Sequence, residues 1–136
     1  MTWQPNPYQH GHLVVVVDCA DLERAARFWA AVLGYKDAGG ASENYRSVLP
    51  EDGPGAEILL QRTDDTKQAK NRLHLDLRTQ DLEAEVNRVL ELGASRLTQE
   101  PVEEHGWSWH ILADPDGNEF CVLRPPPSYW EHPEKS

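Results

Sequence analysis

The segment from Asn71 to Thr79, which reads NRLHLDLRT, carries residues that can hold a ligand or move a proton. Leucines alternate in it with His74, Asp76 and Arg78, and this period predicts a half-buried β-strand. If the leucines pack beneath a helix, His74 and Asp76 point into a cleft on the other face. A neutral imidazole there could orient a ligand or transfer a proton near neutral pH. A structural histidine, bonded to Asp76 or to backbone, explains the residue equally well.

Tryptophan is the second chemical signal, since five of the 136 residues are Trp. In an extended strand, Trp107 and Trp109 share one face. Their flat rings, with Tyr45 at the related position of the first half, could line a cleft and stack on an aromatic or cationic ligand. Trp29 instead lies on the apolar stripe of a predicted helix, where packing in the core is the expected role.

Composition argues against several classes of function. Thirteen basic and 23 acidic residues give a formal charge of −10 without a Lys/Arg cluster, so we expect no nucleic-acid partner. The acidity either favours a cationic ligand or only keeps the protein in solution. Cys19 and Cys121 are too few for a disulfide framework and are expected to be reduced. Because the sequence has neither an apolar run of about 18 residues nor a secretory signal, we expect a cytoplasmic protein without a membrane partner.

Two strand–helix pairs are predicted to position these residues. A β-branched run over 12–18 predicts a strand, and helical periodicity follows over 21–33. The pair recurs as a strand over 73–78 and a helix over 81–92. In each helix an Asp is the expected N-cap and a Gly the expected left-handed end. These residues are Asp21 and Gly34 in the first helix and Asp81 and Gly93 in the second.

The whole chain reads as one unit written twice. The tripeptide DLE recurs at an offset of 60 residues, and a Gly-x-Glu recurs at an offset of 62. After each helix three strands are predicted, near 35–38, 44–49 and 56–62 in the first copy and near 95–98, 107–113 and 119–124 in the second. The sequence therefore predicts an α+β fold of two tandem βαβββ modules with pseudo-twofold symmetry. The modules are 12–62 and 71–124, within a single domain 1–136 that ends in a Pro-rich tail, 125–136.

Three stretches, DLERAARFWAAVLGY, NRLHLDL and DPDGNEFCVL, resemble the vicinal oxygen chelate superfamily, which includes glyoxalase I, bleomycin-resistance proteins and extradiol dioxygenases. They are most similar to its glyoxalase-like branch. The resemblance implies two modules whose curled sheets form a cleft that is completed by pairing within or between subunits. We therefore expect a homodimer, in which the Pro-rich ends around Trp3 and Trp130 are candidate interface segments.

The resemblance also implies a divalent metal, bound by one residue from the first and one from the last strand of each module. The repeat places these positions at Val14, Leu59, His74 and Cys121. Because valine and leucine have no lone pair, no metal cofactor is expected at this set. One alternative is a shifted set that could bind Zn, Mn, Fe or Ni. Its members are His12, Glu57, His74 and Glu119.

Two functions follow from this resemblance. The first is a metal-free protein of the bleomycin-resistance type that binds a small, aromatic or cationic molecule between its modules. The second is a glyoxalase-like lyase or isomerase that uses the shifted metal site, or uses His74 as acid–base catalyst. The predicted ligand contacts are His74, Asp76, Cys121, Trp107, Trp109 and Gln61.

Overall fold

A computed structural model of the chain describes residues 3–4 and 6–131. The chain divides into two compact units, the first ending at Lys67 and the second beginning at Gln68. Each unit contains one helix and one five-stranded sheet. Neither helix, in the part of the chain described, is long and apolar enough to span a bilayer. The α+β fold predicted from the sequence is confirmed.

The first unit contains eight strands and helices. They are β1 (Trp3–Gln4), β2 (Asn6–Tyr8), β3 (Gly11–Cys19), α1 (Leu22–Leu33), β4 (Lys36–Ser42), β5 (Tyr45–Leu49), β6 (Gly53–Pro54) and β7 (Glu57–Arg62). The sheet has the order β2-β3-β7-β5-β4, and its central pair β3 and β7 is parallel. The short strands β1 and β6 form a separate parallel pair. Pro7 lies in β2, an edge strand, where a missing N–H is tolerated.

The second unit repeats this plan. Its elements are β8 (Leu75–Arg78), α2 (Leu82–Glu91), β9 (Ser95–Arg96), β10 (Val102–Glu104), β11 (Trp107–Ala113), β12 (Glu119–Arg124) and a 3-10 helix (Pro127–Trp130). β8 pairs in parallel with β12, as β3 pairs with β7. Both β9 and β10 pair with β11. The first and last strands of the two units are therefore equivalent, as the offsets of the repeat predict.

Both helices begin at the predicted caps. The Asp21 carboxylate accepts a hydrogen bond from the Arg24 N–H, and the Asp81 carboxylate accepts one from the Ala84 N–H, each at 3.1 Å. Gly34 ends α1 at φ 68°, a left-handed conformation that costs glycine little. The N-cap hydrogen bonds therefore determine where each helix begins after its strand.

One face of each sheet packs against its helix and forms the core of the unit. Trp29 of α1 is only 1% exposed, so its predicted core position is confirmed. The sheet of this unit contributes Val48, Ile58 and Leu60. In the second unit, α2 packs against β11 and β12, and the core residues are Leu82, Val86, Val89, Leu112, Phe120 and Val122.

The strand predicted over 73–78 begins only at Leu75, so its first two residues were assigned wrongly. Leu73 is 90% exposed, and His74 lies outside the ladder. The cause is Asn71, whose side-chain amide donates to the Glu119 carbonyl at 3.3 Å. Because a side chain takes this acceptor at the first residue of β12, the backbone before Leu75 does not extend β8.

Candidate functional site

The register of the second sheet brings several predicted site residues onto one face. Cys121 lies opposite Asp76 on one side and opposite Ile111 on the other. One step along, Leu123 lies opposite Arg78 and Trp109. Because alternate residues of a strand share a face, these side chains lie opposite the core residues of the same strands. This side carries Asp76, Trp109 and Cys121 and faces away from α2. We call it the helix-free face of the second sheet, because α2 does not pack on it.

Cys121 lies at the centre of this face and is 9% exposed. Burial raises the pKa of its thiol, and the negative charge of Asp76 raises it further, while Lys70 partly opposes them. The thiol is therefore protonated near neutral pH. It can serve as a small, weakly polar wall, but a thiolate is what binds a metal or attacks an electrophile.

Asp76 and Trp109 are the groups on this face with free interaction capacity. The Asp76 carboxylate is exposed and, within residues 3–4 and 6–131, makes no hydrogen bond or ion pair. The half-buried Trp109 ring has no aromatic partner in the same part of the chain. An anionic oxygen near a flat apolar surface can bind a cation that carries an apolar or aromatic body.

Arg78 stands on the same face and contacts two aromatic rings. Its guanidinium carbon lies 5.0 Å from the centroid of the Trp107 ring and 5.3 Å from that of Tyr129. Tyr129 also meets Trp107 edge-on at 5.9 Å and Trp130 at 4.8 Å. The stack fixes the 3-10 helix to this sheet and occupies the Trp107 ring. Trp107 is thus already in contact with a cation of its own chain.

His74 is not brought into this row. Its imidazole is exposed, and Nε2 lies 3.1 Å from the Asn71 carbonyl oxygen, so Nε2 carries the proton of that hydrogen bond. The Asn71 N–H in turn donates to Glu119 Oε1 at 2.9 Å. His74 therefore makes the bond to backbone that the structural interpretation describes, and its role towards a ligand stays a prediction.

The corresponding face of the first sheet is more apolar. Val16 lies opposite Leu59 in the row that is equivalent to Asp76 and Cys121, and Val16 is 51% exposed. Gln61, the predicted contact from this unit, is half-buried and donates through Nε2 to Tyr45 Oη at 3.1 Å. Among the described residues, the amide oxygen and the second N–H of Gln61 are left for a ligand.

The residues at the four expected positions do not fit the divalent metal that the superfamily implies. Val14 and Leu59 offer no donor atom, and the Cys121 thiol is held protonated by its surroundings. Among the described residues, no group of three or more His, Cys, Asp or Glu side chains could bind a metal ion. That leaves His74 as the one donor of the set, from a position outside its strand.

The two glutamates of the shifted set accept hydrogen bonds from other residues. The Glu57 carboxylate accepts from Ser47 Oγ at 2.7 Å, and the Glu119 carboxylate accepts from the Asn71 N–H. In the parallel register Glu57 lies opposite Val14, so His12 is two residues, about 7 Å, away along the strand. His12 and Glu57 are therefore not arranged as a pair in the first unit.

The turn that presents Cys121 is structural. Asp114 is buried, and its Oδ1 accepts from the N–H groups of Asp116 and Asn118 at 2.9 and 2.8 Å. Gly117 adopts φ 86°, which the turn requires and a side chain would oppose. The Asp114 carboxylate thus accepts hydrogen bonds from within the DPDGN motif and fixes where β12 begins.

Two residues of this region were missed by sequence reasoning. Asn71 redirects the chain before β8, and Tyr129 returns from the tail to stack on Arg78. The Pro-rich, aromatic tail was noted only as a candidate interface segment. The available signal was the shared strand parity of Arg78 and Trp107 next to a tail rich in aromatic residues.

Comparison with known proteins agrees with this geometry. A family model described as "Glyoxalase-like domain" matches residues 14–123. No curated protein matches the chain. A glyoxalase/bleomycin resistance protein/dioxygenase family enzyme from Burkholderia phytofirmans is similar in structure, with a TM-score of 0.66, 17% identity, and coverage of 82% of this chain and 95% of that one.

Two fosfomycin resistance proteins named FosX are also similar in structure. The one from Mesorhizobium loti has a TM-score of 0.66 at 15% identity and covers 91% of this chain and 99% of its own. The one from Listeria monocytogenes, complexed with Mn(II) and a dihydroxypropylphosphonic acid, has a TM-score of 0.67 at 15% identity and covers 85% and 90%. At these identities the likeness shows the fold, whereas the family model covers most of the chain. The chain therefore belongs to the glyoxalase-like domain family, and it shares the fold of solved structures from the glyoxalase/bleomycin resistance/dioxygenase superfamily.

Proposed function

We propose that the protein binds a small cationic molecule with an aromatic or apolar body, without the metal that is usual in its superfamily. The contacts are on the helix-free face of the second sheet. The observation that carries the proposal is the row in which the Asp76 carboxylate, unpaired within the described part of the chain, lies opposite the buried Cys121 thiol. The Trp109 ring, which has no aromatic partner in that part, lies one step away.

Each of these three side chains has a distinct part. Asp76 supplies the negative charge, which is worth most where the ligand itself excludes water. Trp109 supplies a flat surface for stacking and for a cation–π contact. Cys121 is small and uncharged, so it leaves space at the position where the family resemblance implies a metal ligand. A formal charge of −10 for the chain supports the attraction of cations.

The similar structures support a small ligand. The Listeria monocytogenes protein was crystallised with a three-carbon phosphonic acid together with Mn(II). The same fold at the same scale therefore accommodates a molecule of a few heavy atoms. In this chain the donor set argues for binding without Mn(II), because the expected positions hold Val14, Leu59 and a protonated thiol.

Calorimetric titration with tryptamine tests the proposal, and indole serves as the uncharged probe with the same ring. We expect saturable binding of tryptamine, with indole weaker by at least about tenfold. Asp76→Asn should remove this preference for the amine. Glu83→Gln, the same loss of charge at an exposed position of α2, should leave it unchanged.

Equal binding of tryptamine and indole, or full affinity in Asp76→Asn, would overturn the ligand class. Elemental analysis of untagged protein purified without chelator tests the absence of a metal. About one transition-metal ion per chain would contradict it and would direct attention to the shifted set.

We further propose that the protein is a cytoplasmic homodimer. The exposed apolar side chains Val14 and Val16 on the first sheet support an interface, since a large exposed apolar patch commonly marks a protein contact. Light scattering measures the assembly directly. A stable species of 15.4 kDa at micromolar concentration would show a monomer and refute this part.

A further inference from the structure

A pocket that we call the tail pocket lies in the second unit, where β8 and β12 end and β11 begins. Its volume is about 520 Å³, within the range of small-molecule sites. It is lined by Gln80, Gly106, Arg124, Pro125, Pro126, Pro127 and Trp130.

The tail forms one wall of this pocket, and defined contacts hold it in place. The Tyr129 N–H donates to the Pro126 carbonyl at 2.9 Å, which closes the 3-10 turn. Tyr129 is stacked on Arg78 and Trp107, so the turn is anchored to the sheet. At Gly106, a Cβ would lie 3.5 Å from Pro126, which shows how closely this turn approaches the proline wall.

Three side chains that line the pocket, Gln80, Arg124 and Trp130, carry N–H donors. Arg124 is exposed and, within residues 3–4 and 6–131, forms no ion pair. In the same part of the chain, the Gln80 amide and the Trp130 indole N–H have no hydrogen-bond partner. The rest of the lining is proline and glycine, which offers apolar surface without a competing carboxylate.

The charges next to Arg124 do not neutralise it. Arg124 shares a cross-strand row with Ser108 and Glu103. The Glu103 carboxylate accepts from Ser108 Oγ at 3.2 Å and makes no ion pair with Arg124. The guanidinium therefore remains a cation whose donors are available to a ligand.

We propose that this pocket binds an aryl carboxylate. The carboxylate accepts from the Arg124 guanidinium and from the Gln80 amide, a geometry for which arginine is well suited. The aromatic ring of the ligand lies between Trp130 and the proline wall, where stacking and burial of apolar area favour it. The pocket thus selects the charge opposite to that proposed for the helix-free face.

Titration of the full-length protein with indole-3-acetate tests this site, with indole-3-acetamide as the isosteric neutral probe. We expect saturable binding of indole-3-acetate and at least about tenfold weaker binding of indole-3-acetamide. Arg124→Gln should weaken the acetate by at least about tenfold, because a charged donor is lost. Arg96→Gln, an exposed charge on β9 of the same unit, should change it by less than about twofold.

The position of the ligand is read from the Trp130 indole N–H resonance, assigned by its disappearance in Trp130→Phe. We expect that resonance to shift with the same saturation curve as the heat. Asp76→Asn should leave acetate binding unchanged, so failure here and failure of the cation site are distinguishable.

Absence of saturable binding up to about 10 mM indole-3-acetate would overturn the proposal, since that affinity is too weak for a specific site. Equal affinity for indole-3-acetate and indole-3-acetamide, or unchanged affinity for indole-3-acetate in Arg124→Gln, would overturn it as well. Arg124 is exposed, so an unchanged unfolding midpoint in Arg124→Gln confirms that the variant reports on binding.

Discussion

The two units use the same core layer but differ on the opposite face of the sheet. Ile58 and Leu60 are equivalent to Phe120 and Val122, and all four are buried apolar residues. On the other face, Val16 and Leu59 of the first unit are replaced by Asp76 and Cys121 in the second. One copy therefore keeps an aliphatic surface where the other carries polar groups. The comparison teaches that the core layer conserves the architecture and that the chemistry has diverged on the face that stability does not constrain.

The strands that carry this face differ in length too. β3 has nine residues in its ladders, whereas β8 has four. The shorter strand follows from Asn71, which takes the Glu119 carbonyl that a longer β8 would use. His74 consequently lies in a loop, while Val14, its counterpart, is paired with Glu57.

The third difference concerns the strand after each helix. β4 is one strand with register shifts around Gly39, and its counterpart in the second unit is divided into β9 and β10. Pro101 lies in the interruption and cannot donate to a ladder. The divided strand leads into the turn at Gly106, next to the tail pocket.

The largest expected effect tests the shared core layer. Leu60→Ala should lower the free energy of unfolding by about 2–5 kcal/mol, because a fully buried side chain is removed and leaves a cavity. Leu59→Ala, the matched change one residue earlier on the half-buried face, should cost less than half as much. Urea unfolding at neutral pH measures both. Equal losses would mean that the two faces of β7 contribute alike to stability.

The second prediction introduces a residue of the first unit at the equivalent position of the second unit. Asp76→Val places there the residue that the first unit has at its equivalent position, Val16. Loss of the unpaired carboxylate should weaken tryptamine by about 1–3 kcal/mol. The reverse change, Val16→Asp, should leave tryptamine binding nearly unaltered, because Val16 lies in the first unit. Since Val16 belongs to the proposed subunit interface, the new charge should weaken the dimer. Calorimetry gives the affinities, and a large effect of Val16→Asp would place the ligand on the other unit.

How far the sequence predicts this molecule follows from the range of each interaction. Strands, helices and caps depend on patterns within a few residues, so β3, α1 and the caps Asp21 and Asp81 were predicted correctly. The repeat offsets also predict the register, because both parallel pairs keep the same alignment. The shared face of Asp76, Cys121 and Trp109 follows from that register.

The remaining features depend on contacts between distant residues. Asn71 bonds to Glu119, which is 48 residues away, and Tyr129 stacks on Arg78 from the far end of the chain. Neither contact leaves a periodic signal in the sequence. Both decide the candidate sites, since one removes His74 from its strand and the other forms the wall of the tail pocket.

The third prediction concerns His74, the residue of the second unit that the shorter strand displaces. His74→Ala should weaken tryptamine by about 1 kcal/mol or less, below the effect of Asp76→Val, because the imidazole is exposed and bonded to Asn71. Titration of both variants under one condition gives the order. An effect of His74→Ala larger than that of Asp76→Val would favour His74 as the principal ligand contact.

The fourth prediction uses the thiol that replaces Leu59 in the second unit. Burial raises the pKa of Cys121 in the folded state, so the fold favours the protonated form. The unfolded state therefore loses its proton first as pH rises, and the stabilisation is present below the unfolded pKa of about 8.5 and is lost above it. Unfolding free energies of the wild type and Cys121→Ala should converge between about pH 8 and pH 10. A constant difference across this range would contradict the raised pKa.

The smallest expected effect comes from an ion pair in the second helix. Arg88 Nη2 lies 2.7 Å from Glu85 Oε2, one turn along α2. The hydrogen bond from Arg88 lowers the pKa of the Glu85 carboxyl, so its stabilising effect is present at neutral pH and is lost as pH falls below the unfolded value of about 4.3. Glu85→Gln should cost about 0.5 kcal/mol or less at pH 7, since exposed pairs contribute little, and nothing at pH 3. Glu83→Gln, at an exposed site in the first turn of the same helix, is the control that reports the effect of the helix dipole alone. Urea unfolding at both pH values decides the outcome, and a loss for Glu85→Gln that persists at pH 3 would show that the side chain stabilises α2 through packing and not through its charge.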